Sequence, residues 1–271
     1  MTWLLDLDGV VWLTDRPIPR SPETVVALRA AGERVGVVTN NSSLTVGEYL
    51  AKLERMGIPT DRADLITSAQ VAAGLIDPGA RAMVVGGEGI REALGGRGVE
   101  VVDPEAAGTR VDAVLVGYTR EFDYDVLARA MRAVRAGARL IGTNHDPTYP
   151  TPDGVLPGAG SLVTAVAYAS GVEATVAGKP HHPTVEAVQA RFGTIDVMVG
   201  DQPGTDGVLA RRLGARWALV LTGVTRRTDL PVEPTPDVIA DDLASLAEMM
   251  RSTPPPASTV RPAPTVPPTA R

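Results

Sequence analysis

The sequence of 271 residues contains no cysteine, which excludes disulfides, thiolate metal sites and a cysteine nucleophile. Aromatic residues make up only 4% of the chain and leave few rings for stacking on a planar ligand. The net charge is −6 without any block of lysine or arginine, so nucleic acid is not an expected partner. No apolar run approaches the roughly 18 residues that a membrane span requires. We therefore expect a cytoplasmic protein without a membrane partner.

The chain is long enough for one large or two modest domains, and its hydrophobic fraction of 44% is typical of a globular protein. The last segment, residues 252–271, is rich in proline, threonine and alanine and has almost no large apolar side chains. Such a segment cannot form a core. We expect a disordered tail, with a docking motif for a proline-recognising partner as the alternative.

Short apolar runs alternate with helical segments along the chain. Ser21-Pro22-Glu23 predicts the start of a helix with Ser21 as its N-cap, and an apolar strand follows over 34–38. Strand, polar loop and helix then repeat, which predicts an α/β fold with a doubly wound parallel sheet and helices on both faces. A second α/β unit begins at Arg81, and a long polar loop over 144–150 follows it.

Two acidic residues follow the first apolar run. Asp6 and Asp8 lie two positions apart, so they point to the same face if the strand persists, and Gly9 allows a sharp turn. Carboxylates this close repel each other unless a cation bridges them or one stays protonated. The pair therefore indicates either a metal site or an acid/base pair.

Polar groups also follow three later strands. They are Thr39 with Asn40 and Asn41, Lys179, and Asp201 with Asp206. Each alone has an ordinary explanation, such as a helix cap or a solvated turn. Because the carboxyl ends of parallel strands meet at one edge of a sheet, the four groups are expected to converge, and together they supply what phosphoryl transfer needs.

The acids divide the chemical tasks. Asp6, at the end of the buried strand, is the best candidate for a carboxylate nucleophile, and Asp8 can protonate the leaving oxygen and later activate water. Oxygen ligands from Asp6, the Asp8 backbone carbonyl and Asp201 suit Mg²⁺, and Asp206 would orient that site. The donors to the phosphoryl oxygens would be the Thr39 hydroxyl, the Asn40 amide and the Lys179 ammonium.

In this order DLDGV, the strand-ending VVTNN, GKP and GDxxxTD resemble the four motifs of the haloacid-dehalogenase superfamily of phosphotransferases. The insertion between TNN and GKP, closed by TNHDPTYPTPDGVLPGAGSL, is similar to the subfamily (IIA) whose α/β cap follows the second motif. The resemblance covers about residues 2–250. It implies a Rossmann-like core from residues 1–77 and 175–251 with an inserted α/β cap domain over 78–174.

The resemblance also implies a Mg²⁺-dependent phosphatase that acts on a small phosphorylated metabolite through an aspartyl-phosphate on Asp6. The second acid, Asp8, disfavours the dehalogenase branch, which has no need of it. Few aromatic residues favour a small polar phosphate ester. Two alternatives stay open: a phosphotransferase or mutase of the same superfamily, and a non-catalytic regulatory protein that binds a phosphorylated ligand.

Substrate contacts would come from the second loop and from the cap. The candidates are Asn41, Asn144, Asp146 and Tyr149. For Asn144 and Asp146 the alternative is an Asx-turn that only shapes the loop. The three histidines, at 145, 181 and 182, are expected at the surface or at a helix entry rather than in catalysis. Members of this subfamily often associate, so a homodimer through the cap is expected.

Overall fold

The computed structural model describes residues 1–103, 110–151 and 154–252, and within these ranges the chain forms two parallel sheets, two hairpins and nine α-helices. The strands are β1 (Thr2–Leu5), β2 (Trp12–Leu13), β3 (Arg16–Pro17), β4 (Arg34–Thr39), β5 (Leu65–Thr67), β6 (Arg81–Val85), β7 (Glu100–Val101), β8 (Ala113–Val116), β9 (Arg139–Gly142), β10 (Thr148–Thr151), β11 (Gly154–Pro157), β12 (Thr175–Val176), β13 (Val197–Gly200), β14 (Arg216–Val220) and β15 (Val238–Ala240). The helices are α1 (Ser21–Ala30), α2 (Val46–Arg55), α3 (Ser68–Gly74), α4 (Glu88–Gly95), α5 (Tyr124–Arg135), α6 (Ala159–Ser170), α7 (His182–Phe192), α8 (Val208–Leu213) and α9 (Leu243–Ser252). The predicted tail lies outside the described residues from position 253 onward.

The first sheet has the strand order β15-β14-β13-β1-β4-β5 with parallel neighbours throughout. Side chains alternate across β1, so Trp3 and Leu5 join one hydrophobic cluster and Leu4 joins the other, on the opposite face. Helices cover both faces. This confirms the predicted α/β fold with a doubly wound parallel sheet.

The second sheet has the order β12-β9-β8-β6-β7 and is also parallel. On one face Val114 packs in a cluster with Val134 of α5 and Val166 of α6. On the other face Leu115 belongs to the same hydrophobic cluster as Leu4 of the first sheet. The two sheets therefore share one continuous core.

The last strand of the second sheet, β12, lies at the boundary predicted between the cap and the second part of the core. β12 pairs with β9 of the second sheet, although residues 175 onward were expected to belong with the first sheet. A two-residue strand carries no pattern that specifies its partner. The division into a core of residues 1–77 and 175–251 and a cap of residues 78–174 stays a prediction.

Two local features depart from the sequence analysis. The predicted polar loop contains the antiparallel hairpin β10–β11, and β10 includes a proline; an isolated hairpin has only edge strands, where proline is tolerated. Ser21 does not cap α1. Arg20, with a φ of 67°, is the N-cap, and the Ser21 hydroxyl donates to the Val10 carbonyl at 3.1 Å.

Among the described helices none is both long and apolar enough to cross a bilayer.

Candidate active site

The carboxyl ends of β1 and β13 form a crevice in the first sheet. Their onward connections run to opposite sides of the sheet, and ligands bind at such a switch point in open α/β folds. Asp6 follows β1 directly, and its N–H donates to the Val199 carbonyl at 2.9 Å, which fixes the backbone. The Asp6 side chain is buried, and its Oδ1 accepts from the Leu7 N–H at 2.7 Å. Sheet pairing thus holds this carboxylate in place.

Lys179 lies between two of the predicted acids. Its Nζ is 2.8 Å from Asp6 Oδ1 and 2.8 Å from Asp206 Oδ1, and only 2% of its side chain is exposed. Burial alone would lower the pKa of Lys179, but the charges of Asp206 and Asp6 together outweigh it and the pKa is raised. Lys179 is therefore a fixed positive charge.

Three carboxylates crowd around this lysine. Oxygen atoms of Asp6, Asp201 and Asp206 lie within 4.8 Å of one another. Both Asp206 oxygens are engaged, because Oδ1 accepts from Lys179 and Oδ2 accepts from the N–H groups of Asp201 at 3.2 Å and Gln202 at 3.1 Å. Both carboxylate oxygens of Asp206 therefore already accept hydrogen bonds, and these bonds hold the loop after β13 in place.

Asp201 is held by only one of its two oxygens. Oδ2 accepts from the Val224 N–H at 2.6 Å, whereas Oδ1 is buried and has no hydrogen-bond partner among the described residues. Burial first, and then the charge of Asp206, raises the pKa of Asp201 to about 7. Burial likewise raises the pKa of Asp6, against the opposing charge of Lys179. A cation at this point would satisfy the free oxygen and relieve the repulsion.

Two glycines let the backbone pass close to Asp201. A Cβ on Gly9, whose φ is +84°, would lie 2.5 Å from Asp201 Oδ2, and a Cβ on Gly223 would clash with the same carboxylate. The loops after β1 and β14 therefore close directly on Asp201.

Asp8 lies beside the same crevice and is half-buried. The indole N–H of Trp12 donates to its Oδ1 at 2.9 Å. Burial raises the pKa of Asp8, and the bond from Trp12 opposes the rise. A carboxyl that ionises closer to neutrality than usual suits proton transfer.

The loop after β4 supplies Thr39, Asn40 and Asn41. The Thr39 hydroxyl is buried and accepts from the Asn41 N–H at 3.1 Å. The Asn40 side-chain amide already donates to the Asp146 carboxylate at 3.1 Å and to the Lys179 carbonyl at 3.1 Å. A contact from Asn40 to a phosphate would therefore use its main-chain N–H.

Asn144 and Asp146 face this loop from the second sheet. Asn144 Oδ1 accepts from the Asp146 N–H at 3.0 Å, which is the Asx-turn considered as the alternative, and Asn144 Nδ2 donates to the Asn40 carbonyl at 2.7 Å. Burial raises the pKa of Asp146, and the bond from Asn40 opposes the rise. Both side chains join the two sheets across the crevice.

The crevice opens into a cavity of about 440 Å³. Every predicted site residue lines it except Lys179 and Asp206, which are buried against Asp6. Tyr149 lies in the wall with its ring centroid 4.8 Å from that of Tyr118. Sequence reasoning missed Tyr118, although it stands just beyond the carboxyl end of β8, the kind of position that singled out the others.

Other lining residues were also missed, and the histidines lie elsewhere. Arg226 and Val224 line the cavity from the loop after β14, where no motif indicated them. Among the described lining residues there is no histidine. His145 is exposed, and His182 is the first residue of α7 and lies 3.5 Å from Glu186, which agrees with their expected surface roles.

Models of known protein families show to which family the chain belongs. A family model described as haloacid dehalogenase-like hydrolase matches residues 3–100, and a second, described as HAD-hydrolase-like, matches residues 176–246. The chain belongs to the haloacid dehalogenase-like hydrolases. The matched stretches contain all four motifs and leave out most of the second sheet.

Members of this family with similar sequences cover most of the chain. Chronophin of Homo sapiens is 39% identical over 243 residues, which are 82% of this chain and 81% of chronophin. A p-nitrophenyl phosphatase from Archaeoglobus fulgidus has a TM-score of 0.84 at 30% identity and covers 92% of this chain and 98% of its own. The glycerol phosphate phosphatase of Mycobacterium tuberculosis, solved in complex with magnesium, has a TM-score of 0.81 at 36% identity and covers 90% and 75%. The similarity to these proteins therefore extends over most of the chain.

Proposed function

We propose that this chain is a Mg²⁺-dependent phosphatase that hydrolyses a small organic phosphate monoester through an aspartyl-phosphate on Asp6. The observation that carries the proposal is the junction of Lys179 and the three acids. Lys179 bonds to Asp6 and Asp206, while Asp201 keeps one buried oxygen without a partner among the described residues. The similar proteins named as phosphatases support the same reaction class.

The donor set fits magnesium. Asp6, the Asp8 carbonyl and Asp201 would hold the ion with oxygen atoms only, as Mg²⁺ prefers, and Asp206 would keep the Asp201 loop in place through its two N–H contacts. When bound, the ion would offset the repulsion between an anionic nucleophile and an anionic phosphate. The magnesium complex of the Mycobacterium tuberculosis relative supports this assignment.

The chain's own groups would carry the steps. Asp6 attacks phosphorus, and Lys179, whose charge is fixed by two carboxylates, stays within reach of the phosphoryl oxygens. The Thr39 hydroxyl and the Asn40 main-chain N–H would donate to the same oxygens. Asp8 gives its proton to the leaving oxygen and takes one from water when the aspartyl-phosphate on Asp6 is hydrolysed.

The cap side would select the substrate. Tyr118 and Tyr149 form an aromatic wall, and Arg226 adds a positive charge to the lining. Two of the similar proteins are named for different phosphate esters, p-nitrophenyl phosphate and glycerol phosphate, so the substrate is assigned only as a small phosphorylated metabolite. A homodimer through the cap and a cytoplasmic location stay predictions.

The test is hydrolysis of 4-nitrophenyl phosphate with Mg²⁺ or with EDTA, with nitrophenol and inorganic phosphate measured separately so that transfer to another acceptor is recognised. Wild type should release both in equal amounts only with Mg²⁺. Asp6→Asn should lose at least about 10⁴-fold in turnover because it removes the nucleophile. Asp125→Asn, the same change at an exposed acid of α5, should keep wild-type turnover. A wild type without Mg²⁺-dependent turnover on this or any of a panel of phosphate esters would reject the function.

A further inference from the structure

The turn after Asp6 brings an indole ring against Asp8. The Gly9 N–H donates to the Trp12 carbonyl at 2.8 Å, and the Trp12 N–H donates to the Leu7 carbonyl at 3.2 Å, so the turn is closed by its own backbone. The Trp12 side chain is 1% exposed, and its Nε1–H donates to Asp8 Oδ1 at 2.9 Å. A buried tryptophan needs a partner for its N–H, and here that partner is a carboxylate in the site.

Lys52 of α2 lies over the indole ring of Trp12. Lys52 Nζ lies 4.4 Å from the Trp12 ring centroid, in the position of a cation–π contact. The same ammonium donates to the Thr14 carbonyl at 2.6 Å and pairs with Asp15 at 3.2 Å. Lys52 thus links α2 to the β2–β3 hairpin that carries Trp12, and these contacts restrain the indole ring.

We infer that Trp12 is a positioning residue that reserves Oδ1 of Asp8 and thereby leaves Oδ2 as the atom that transfers protons. The inference rests on the proposed phosphatase function. An N–H donor at Oδ1 is compatible with both charge states, because the carbonyl oxygen of a neutral carboxyl and either oxygen of a carboxylate can accept. The proton of the neutral acid then resides on Oδ2.

The proton movements balance over the two half-reactions. In the first, an Asp6 oxygen bonds to phosphorus, the bond to the leaving oxygen breaks, and the proton on Asp8 Oδ2 passes to that oxygen. In the second, water bonds to phosphorus, its proton passes to Asp8 Oδ2, and the bond between Asp6 and phosphorus breaks. Asp8 is returned to its starting state with its proton on the same atom.

The leaving group provides a readout that a purely structural role would not affect. An alkoxide needs a proton in order to leave, whereas 4-nitrophenolate leaves without one. Trp12→Phe should therefore lower kcat/KM for glycerol 3-phosphate by about tenfold, a part of what a general acid contributes. For 4-nitrophenyl phosphate kcat/KM, which reports the first half-reaction, should stay within about threefold of wild type.

Trp3→Phe is the matched control. Trp3 is also 1% exposed and packs in the same hydrophobic cluster as Trp12, but its Nε1 has no hydrogen-bond partner among the described residues. This variant should change kcat/KM for both esters by the same factor. It therefore measures the effect of shrinking a buried ring in this core.

A double variant tests whether Trp12 acts through Asp8. In an Asp8→Asn background, Trp12→Phe should cause no further loss with glycerol 3-phosphate. Equal losses on both esters, or a full additional loss in the double variant, would overturn the assignment while leaving the proposed function intact. If Trp12→Phe fails to fold, benzothienylalanine at position 12, which keeps the ring size and removes the N–H, must give the same ester-dependent loss. If glycerol 3-phosphate is not hydrolysed, an alkyl phosphate from the panel that wild type hydrolyses takes its place; absence of wild-type hydrolysis of 4-nitrophenyl phosphate and of every ester of the panel would overturn the proposed function and this assignment with it.

Discussion

The two walls of the cavity hold their polar groups in opposite ways. In the core wall, Asp6 and Asp201 line the cavity while Lys179 and Asp206 lie buried behind them; three carboxylates crowd around one lysine, and an Asp201 oxygen has no partner among the described residues. In the opposite wall, named the cap wall after the predicted cap, Asn144 and Asp146 bond to each other and to Asn40. Buried polar groups are normally satisfied. The core wall is therefore where a cation and a reaction are expected, and the cap wall gives shape and joins the sheets.

The largest effect is expected from a change in the core wall that removes a metal ligand. Asp201→Asn should weaken Mg²⁺ binding by more than about 100-fold, because removing a ligand costs more than removing a group that orients one. Without metal the free energy of unfolding should not fall, since one of three repelling buried charges is gone. Calorimetric titration with Mg²⁺ and thermal unfolding in EDTA measure the two quantities. Asp206→Asn is the control, and because both Asp206 oxygens are bonded it should lower stability.

The pH dependence of stability tests the protonation of Asp201. With a folded pKa raised to about 7, Asp201 holds a proton in the folded chain at pH values where the unfolded chain has released it. Stability of the metal-free protein should therefore rise as pH falls through about 7, by at most about 1.4 kcal/mol per pH unit. Mg²⁺ affinity should fall over the same range because protons compete with the ion. If Asp201→Asn leaves this stability slope unchanged, another group is responsible.

Asp8→Asn should lower turnover without lowering Mg²⁺ affinity. Turnover should fall on the order of 10²-fold, the usual contribution of a general acid or base. Mg²⁺ affinity should survive because Asp8 offers the ion its main-chain carbonyl. Steady-state kinetics and metal titration on the same preparation measure both. A loss of metal affinity equal to that of Asp201→Asn would contradict the assigned role.

The smallest effect on chemistry is expected in the cap wall. Asn144→Ala removes the bonds to the Asn40 carbonyl and to the Asp146 N–H and should lower the free energy of unfolding by about 2 kcal/mol. Mg²⁺ affinity should stay at the wild-type value, since no metal ligand is touched. Urea unfolding and calorimetric titration measure the two effects. The distinction between the walls fails if Asn144→Ala loses metal binding and keeps its stability.

Much of the architecture and the meeting of the four loops was predictable because both follow from local patterns. Short apolar strands that end in Asp6, Thr39 or Asp201 specify their own ends, and parallel strands bring those ends to one edge. Long-range pairing has no such local signal. The Asn40 amide stays a predicted phosphate donor, but the bond from its side chain to Asp146, 106 residues away, has no local signal in the sequence.

Amino-acid composition also says little about where individual side chains lie in the fold. The low aromatic fraction predicted few rings for a ligand, yet Tyr118 and Tyr149 meet in the cavity wall. Tyr118 comes from the second sheet, and Arg226 comes from a loop without a motif. The packing of the second sheet over the first brings Tyr118 to the site, and the path of the loop after β14 brings Arg226 there.

The most direct test of the central claim is to trap the intermediate on Asp6. Asp8→Asn should be mixed with 4-nitrophenyl phosphate and Mg²⁺, since this leaving group needs no acid while hydrolysis of the intermediate needs the missing base. Borohydride reduces an aspartyl-phosphate to homoserine, and peptide mass spectrometry locates the product. Homoserine at position 6 that depends on substrate and Mg²⁺ is the predicted result. Nitrophenol release with an unmodified Asp6, or with the modification at another residue, would contradict the account.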